Sequence, residues 1–376
     1  MNEHLGLYLH IPFCVKKCGY CDFYSGVYDQ EKGARYYNAL LSEFGRAKES
    51  GRLENYTIDT VYIGGGTPSI IPPEMIRGLL QDLRDKFHFS EDAEISMEAN
   101  PGTVTREKLR VYKEAGINRL SIGLQSTDDR LLKLLGRIHD YRTFLNSYVM
   151  AREAGFDNIN IDLIFGIPGQ SVEDWELSLV KAAKLSPDHL SAYSLIVEDE
   201  TPFAGLYGEH GTKKDELPSE EAERQMYHLT EEVLKSYGFS RYEISNYAKE
   251  GKICRHNWNC WSYEPYIGFG AAAASFFEGK RFRNVNSLDF GRFSRKDAET
   301  LDTDDQMNEY MLLGLRKIPG VSDEEFKKRF GISLFERFRS EISYLKKNGL
   351  LKQEEDRVFL TARGLDLANQ VFLCFV

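Results

Sequence analysis

From Leu5 to about Leu195, short apolar runs alternate with stretches whose apolar residues recur every three or four positions. This is the pattern of strand-helix units repeated around a parallel sheet. LGLYLHI predicts the first strand, and a helix follows with Tyr37, Leu40, Leu41, Phe44 and Ala47 on one face. The second strand, TVYI from Thr60 to Ile63, runs into GGGTP, and the next helix aligns Ile76, Leu79, Leu80, Leu83 and Phe87. EISMEANP is the third strand. EAGINRLSIGLQS from Glu114 and EAGFDNINIDLIFG from Glu153 each close a helix on glycine, which supplies a left-handed cap, before strands four and five. Ser171 and Asp174 have the spacing of a capping box for a helix carrying Trp175 and Leu179, and HLSAYSL is the sixth strand.

The pattern then breaks. The polar stretch from Glu198 to Pro218 reads as an exposed surface loop. A helix through Met226, Leu229 and Val233 leads to RYEISNYA and then to an unusual Cys/His/Trp segment, HNWNCW. A smaller domain is expected from Asp302, with capping boxes at Ser322/Glu325 and Ser333/Glu336 and a closing hairpin and helix in RVFLTARGLDLANQVF. It reads as winged-helix-like without a basic recognition face. The expected division is residues 1–200, 201–301 and 302–376.

With 42% hydrophobic and 28% charged residues and no apolar run long enough to span a bilayer, the 376-residue chain reads as a globular protein without a transmembrane segment. A net charge of -10 argues against sequence-independent binding to nucleic acid, which needs basic surface to displace counterions. The 21 Tyr and 23 Phe suit a flat apolar ligand and equally suit an ordinary aromatic core.

Cys14, Cys18 and Cys21 crowd into HIPFCVKKCGYCDFYS behind the first strand. A four-iron, four-sulfur cluster is usually held by four thiolates, so three suggest a cluster with one iron kept open for an exchangeable ligand. The competing reading is zinc, which needs a fourth ligand; His10 and Asp22 are near in sequence but awkwardly placed, and a distant ligand would also serve. Disulfides fit less well, because MNEHLGLYLHIPFC carries no apolar signal segment and the cytoplasm is the expected compartment.

In a barrel of parallel strands the chemistry gathers where the C-terminal strand ends converge on one mouth. The unusual residues fall there: the cysteines after strand one, Gly64, Gly65, Gly66 and Thr67 after strand two, Glu98 and Asn100 after strand three, Gln125 after strand four, Asp162 on strand five, and Tyr193 and Glu198 near strand six. Three glycines let backbone N-H groups approach a ligand closely. Glu98 is expected to pair with an ammonium and Asp162 to accept ribose hydroxyls, although each alone could be a helix cap or a surface carboxylate. GGGTP lacks the Lys-Ser/Thr ending of a phosphate loop.

Taken together, LYLHIPFCVKKCGYCDF, VYIGGGTPS, ISMEANPGTV, RLSIGLQS, LGRIH and NIDLIFGIPGQ resemble the HemN/HemW group of radical S-adenosylmethionine (SAM) proteins over nearly the whole chain. That group comprises oxygen-independent coproporphyrinogen III dehydrogenases and heme chaperones. The resemblance implies an α/β fold, a partial (β/α)6 TIM-type radical SAM barrel with a small C-terminal winged-helix-like domain. By motif, Cys14, Cys18 and Cys21 would hold a 4Fe-4S cluster, and Tyr8, Gly65 and Glu98 would contact the SAM bound to it. Tyr20, Gly66, Thr67, Gln125, Arg137, Asp162 and Ile196 match positions that hold a second SAM in the dehydrogenases.

Two departures favour the chaperone branch. Phe23 stands where the dehydrogenases carry a fourth cysteine, and their long N-terminal extension has no counterpart before Cys14. In addition, HNWNCW resembles the chaperones' HNxxYW signature, with Cys260 in place of Tyr. Imidazole and thiolate both serve as axial heme ligands, so Cys254, His256 and Cys260 form a candidate heme-side cluster beside Trp258 and Trp261. A histidine beside tryptophans is also an ordinary structural pair. The expectation is a heme chaperone that passes heme to an acceptor protein and forms a homodimer. The alternatives are oxidative decarboxylation of coproporphyrinogen III and radical chemistry on another substrate.

Overall fold

Each of the six apolar runs forms a strand in the computed structural model, which describes residues 3–286 and 295–376. The strands are β1 (Glu3–Ile11), β2 (Tyr56–Gly65), β3 (Phe89–Ala99), β4 (Arg119–Gln125), β5 (Ile159–Phe165) and β6 (His189–Ser194). They lie side by side in sequence order, all parallel, as right-handed strand-helix-strand units require. The helices between them begin as the residues predict. Asp29 caps Gln30–Glu49, Thr105 caps Arg106–Glu114, and the Ser171/Asp174 capping box opens Val172–Lys184. Gly116 and Gly155 take the left-handed conformation expected of them.

Alternation along these strands divides apolar from polar residues in an informative way. Leu7, Val61, Ile95, Leu120, Ile161 and Leu190 join one core with the helices. The opposite face turns into the lumen and is polar. There Tyr62, Ser96, Glu98, Arg119, Ser121, Asn160, Asp162, His189 and Ser191 hydrogen-bond to one another across strands, and Glu94 accepts from Ser96 on its own strand. Side chains that read as a solvent face in single strands thus share a barrel interior.

The barrel does not close. Tyr266–Phe269 adds to the free edge of β1, again parallel, and Ala274–Phe277, Lys280–Asn284 and Arg295–Thr300 continue antiparallel from it. At the other edge Asn246–Ala248 pairs antiparallel with β6. Residues 303–376 build a second core around Met311, Phe326, Leu334, Ile342 and Val358, with a three-stranded sheet and the expected hairpin at 351–360. Tyr263 and Phe276 from the barrel side join that core. Among the described residues, no helix is long and apolar enough to cross a membrane.

Two local expectations are corrected. Ser322 caps the Glu325 amide without a return bond from the Glu325 side chain among the described residues, and Ser333 serves Phe335 and gives its own hydroxyl to Asp323, so neither pair closes a capping box. The stretch from Glu198 to Pro218 is not a plain loop either. It carries a helix, Pro202–Tyr207, whose Phe203 and Tyr207 are buried against Leu131, Leu135, Ile164 and Ile167. The polar residues before and after this short apolar stretch hid it.

Candidate functional site

The cysteine loop leaves β1 at the barrel mouth and is tied down at both ends. Phe13–Cys14 pairs with Gly26–Val27, while Gly19 donates its N-H to the Leu135 carbonyl at 3.2 Å and accepts from Phe203 N-H at 3.0 Å. Phe203 packs so closely on Gly19 that a Cβ there would lie 2.6 Å from its ring. All three thiols are free and partly exposed.

Side chains that follow the next three strands form an arc that reaches two of these sulfurs. The Thr67 hydroxyl donates to Cys14 Sγ at 3.5 Å and accepts from Asn100 Nδ2 at 2.9 Å. Arg137 donates through Nη2 to Asn100 Oδ1 at 2.7 Å and to the Gly123 carbonyl at 3.0 Å, and through Nη1 to Cys18 Sγ at 3.7 Å. Asn100 is thus the hinge of a polar arc from Cys14 to Cys18. Tyr20 lies beside Arg137, and burial, partly offset by that cation, raises its phenol pKa. Burial, and then the neighbouring Cys18 and Cys14, push the Cys21 thiol up to about 11. Three mutually repelling sulfurs met by hydrogen-bond donors suit an electron-rich sulfur-ligated cluster. Among the described residues, no group of three His, Cys, Asp or Glu side chains is gathered to hold a single ion.

Below the thiols, Glu98 stands half-buried in the lumen. Its oxygens accept from Tyr62 Oη at 3.0 Å and Gly65 N-H at 3.1 Å, and it has no ion pair among the described residues. Burial and then Asp162 push its carboxyl up to about 7. Such a carboxylate favours an incoming cation. Asp162 is itself held by Ser121 and Asn160, each at 2.8 Å. Tyr8 lies beside Tyr62 and shares a 3.0 Å hydrogen bond with His10 Nδ1, and His10 Nε2 lies 2.8 Å from the Tyr24 carbonyl on the cysteine loop. Gln125 ends β4 in the left-handed region, φ 69°, a strained conformation for a non-glycine residue and one that clusters at functional sites.

The glycine run has a different cause from the one expected. Gly65 N-H goes to Glu98, Gly66 N-H to the Ile11 carbonyl and Thr67 N-H to the Phe13 carbonyl, so these donors are occupied within the protein. A Cβ on Gly65 would meet the His10 ring at 2.5 Å, and one on Gly66 the Phe13 carbonyl at 2.7 Å. Close packing of β2 against the exit of β1 therefore requires the glycines. Ile196 stands on the rim, 67% exposed and apart from the arc.

His256 and Cys260, expected on the heme side, lie away from the thiols. HNWNCW forms a short helix, Arg255–Trp261, packed where the strands begin, at the opposite end of the barrel from the thiols. His256 is 5% exposed, its Nδ1 lies 3.0 Å from Thr60 Oγ1, its ring stacks on Tyr62, and burial pushes its pKa down to about 4. Cys254 is fully buried against Glu94, and burial pushes the Cys260 thiol up to about 12. Trp258 and Trp261 face Lys317 and Arg316 of the C-terminal region. The segment packs as a plug at the base of the barrel and a joint to the C-terminal region. Tyr62, Glu94 and Arg119 escaped the sequence reading of the site, although their alternation within apolar strands marked one shared face.

Residues 8–180 match the radical SAM superfamily and residues 301–367 the HemN C-terminal domain. The heme chaperone HemW of Bacillus subtilis is 38% identical over 378 residues, covering 98% of both chains. HemW of Lactococcus lactis is 34% identical over 98% of this chain and 96% of its own, and HemW of Escherichia coli 37% identical over 82% and 83%. Among solved structures, the coproporphyrinogen III oxidase HemN of Escherichia coli, a radical SAM enzyme, superposes with a TM-score of 0.85 at 25% identity, covering 100% of this chain and 90% of that one.

Proposed function

Because this chain belongs to the HemW family within the radical SAM superfamily, we propose that it is a cytoplasmic heme chaperone that binds heme and passes it to an acceptor protein. Cys14, Cys18 and Cys21 hold a 4Fe-4S cluster in this reading, and SAM takes the remaining iron. When bound, the cluster supplies an open iron and a one-electron donor. The protein's part is to bind and orient. Thr67 and Arg137 donate to the sulfurs, Glu98 receives the ligand's ammonium, Asp162 its ribose, and the lumen keeps water away from them. Tyr8, Gly65, Gly66, Tyr20, Gln125 and Ile196 line or flank that path. The observation that carries the reading is the donor arc joining Cys14 to Cys18 at the mouth of a polar lumen.

Heme in this reading rests on the rim. Val15, Phe23, Val27, Ile138 and Ile196 are exposed on the loops beyond the strand ends and Tyr193 near the end of β6, with Phe23 60% and Val27 66% accessible. Lys16 and Lys17 are exposed on the same loop and suit two propionates. An apolar collar with adjacent cations matches a flat ring with two carboxylates. Hemin titration of reconstituted protein should reach one equivalent per chain, and protein that binds no hemin ends the chaperone reading. In the same sample a homodimer should appear by light scattering.

A second reading rests on the likeness to HemN: oxidative decarboxylation of coproporphyrinogen III. Phe23, in place of the dehydrogenases' fourth cysteine, speaks against it. Incubation with coproporphyrinogen III, SAM and a reductant should leave the substrate unchanged, and robust formation of protoporphyrinogen would reverse the order of the two readings.

Glu98 makes the SAM site sensitive to pH. Its raised carboxyl pKa favours the neutral form, so ionising it lowers folding stability progressively from the ordinary carboxyl range up to about 7. Pairing with an ammonium needs the ionised form. SAM affinity should therefore increase as pH rises through about 7, and Glu98→Gln should bind weakly with no such step. Calorimetric titration at a series of pH values checks this; a flat wild-type profile would remove Glu98 from the ammonium site.

A further inference from the structure

We infer that His256 is a positioning residue for SAM: from the base of the barrel it holds Tyr62, and through Tyr62 it fixes Glu98. The inference rests on the SAM site proposed above. Gly6 makes room for the imidazole, since a Cβ there would lie 3.3 Å from the His256 ring. Thr60 Oγ1, 3.0 Å from Nδ1, and Glu94, which accepts the His256 N-H at 3.2 Å, fix the residue in that space. The ring lies 5.4 Å from that of Tyr62 with 29° between their planes. Tyr62 in turn donates its hydroxyl to Glu98 Oε1 at 3.0 Å.

Among the described residues, only Gly65 N-H otherwise holds the Glu98 carboxylate by a direct bond, at 3.1 Å. Tyr62 is therefore one of the two donors that aim it. Tyr62 also neighbours Tyr8, whose ring is 6.4 Å away at 25°, and Tyr8 leads through His10 to the Tyr24 carbonyl on the cysteine loop. One imidazole beneath Tyr62 thus supports both the ammonium-binding carboxylate and a wall of the thiol loop. This gives the histidine of HNWNCW a role that its burial permits, which direct contact with heme does not.

Loss of the imidazole leaves a void below Tyr62 into which its ring can settle, drawing the hydroxyl from Glu98. A hydrogen bond to a charged group carries a factor of roughly ten or more in binding. In cluster-loaded protein, His256→Ala and Tyr62→Phe should each raise the Kd for SAM about tenfold. Both should weaken the SAM-induced change in the electron paramagnetic resonance spectrum of the reduced cluster. The double variant should be little worse than His256→Ala, because the two residues act along one path.

Asn259→Ala is the control. It sits on the same helix but bonds Asp59, away from the lumen, and a merely structural role for the helix would affect it and His256→Ala alike. Hemin stoichiometry should be unchanged in all three single variants. The inference is overturned if His256→Ala binds SAM as the wild type does, if Asn259→Ala loses affinity equally, or if His256→Ala loses hemin and keeps SAM. Should His256→Ala fail to fold, Tyr62→Phe with unchanged SAM affinity overturns it by itself. Wild-type protein that binds no SAM fails the functional reading and this inference together, whereas normal binding by wild type and variants fails the inference alone.

Discussion

Cys18→Ala will reduce iron and sulfide from about four each per chain to near zero after anaerobic reconstitution, while leaving the protein folded. Cys18 sits on a loop outside the main apolar core and makes its side-chain contact with Arg137. The backbone on either side is secured independently, before it by the pairing of Phe13–Cys14 with Gly26–Val27 and after it through Gly19 to Leu135 and to Phe203. The variant therefore loses one of three ligands without losing the loop. Three thiolates are already one fewer than such a cluster usually has, so two leave half of its irons without a protein ligand. Cys374→Ala, near the chain's end and packed on the second core, should retain the full complement. Metal analysis and circular dichroism on the same samples decide the matter. Zinc in the wild type, or iron retained by Cys18→Ala, would end the cluster reading.

Glu94→Ala will destabilise the chain by about 3–5 kcal/mol, the scale seen when one partner of a buried charged pair is removed. Glu94 is buried on β3, where it accepts from the Ser96 hydroxyl, Cys254 Sγ and the backbone N-H groups of Arg255 and His256. The helix at Arg255–Trp261 has no side-chain cap of its own, so this strand carboxylate caps it from across the sheet. Arg119, 2% exposed, would lose a nearby countercharge as well. Urea unfolding should show the midpoint fall, with Glu94→Gln intermediate because it keeps one acceptor. A loss below about 1 kcal/mol would mean that water reaches the base of the barrel and replaces the missing bonds.

Much of this was legible in the chain. The outward positions of β1 to β6 are continuous enough in apolar character to predict six units, and glycine and capping signals place the helix ends. The thiol spacing pointed to its own chemistry. The inward positions were harder, because Tyr62, Glu94, Ser96 and Arg119 look like a wetted face in any single strand and become a lumen only when six strands curve together. The strands from Tyr266–Phe269 to Arg295–Thr300 were missed for a related reason. Tyr266–Phe269 is four residues long and owes its conformation to the open edge of β1. HNWNCW misled most. Its composition is that of a ligand cluster, but the partners that claim it, Thr60, Tyr62 and Glu94, lie some 160 to 200 positions earlier in the chain, beyond the reach of any local pattern.

The joint between the barrel and the C-terminal region bears on how such proteins can be recombined. Arg316 and Lys317 cover Trp261 and Trp258, Lys317 reaches the Ser262 hydroxyl, Ile318 N-H bonds the Tyr242 carbonyl, and Arg329 grips Tyr263 and Glu264. The surface that separates the two bodies in space therefore does not coincide with the break near residue 302 along the chain. A chimera spliced at that break would mate one parent's socket with another's key, and exchanging residues 242–264 together with the C-terminal region keeps each interlocking pair from a single parent.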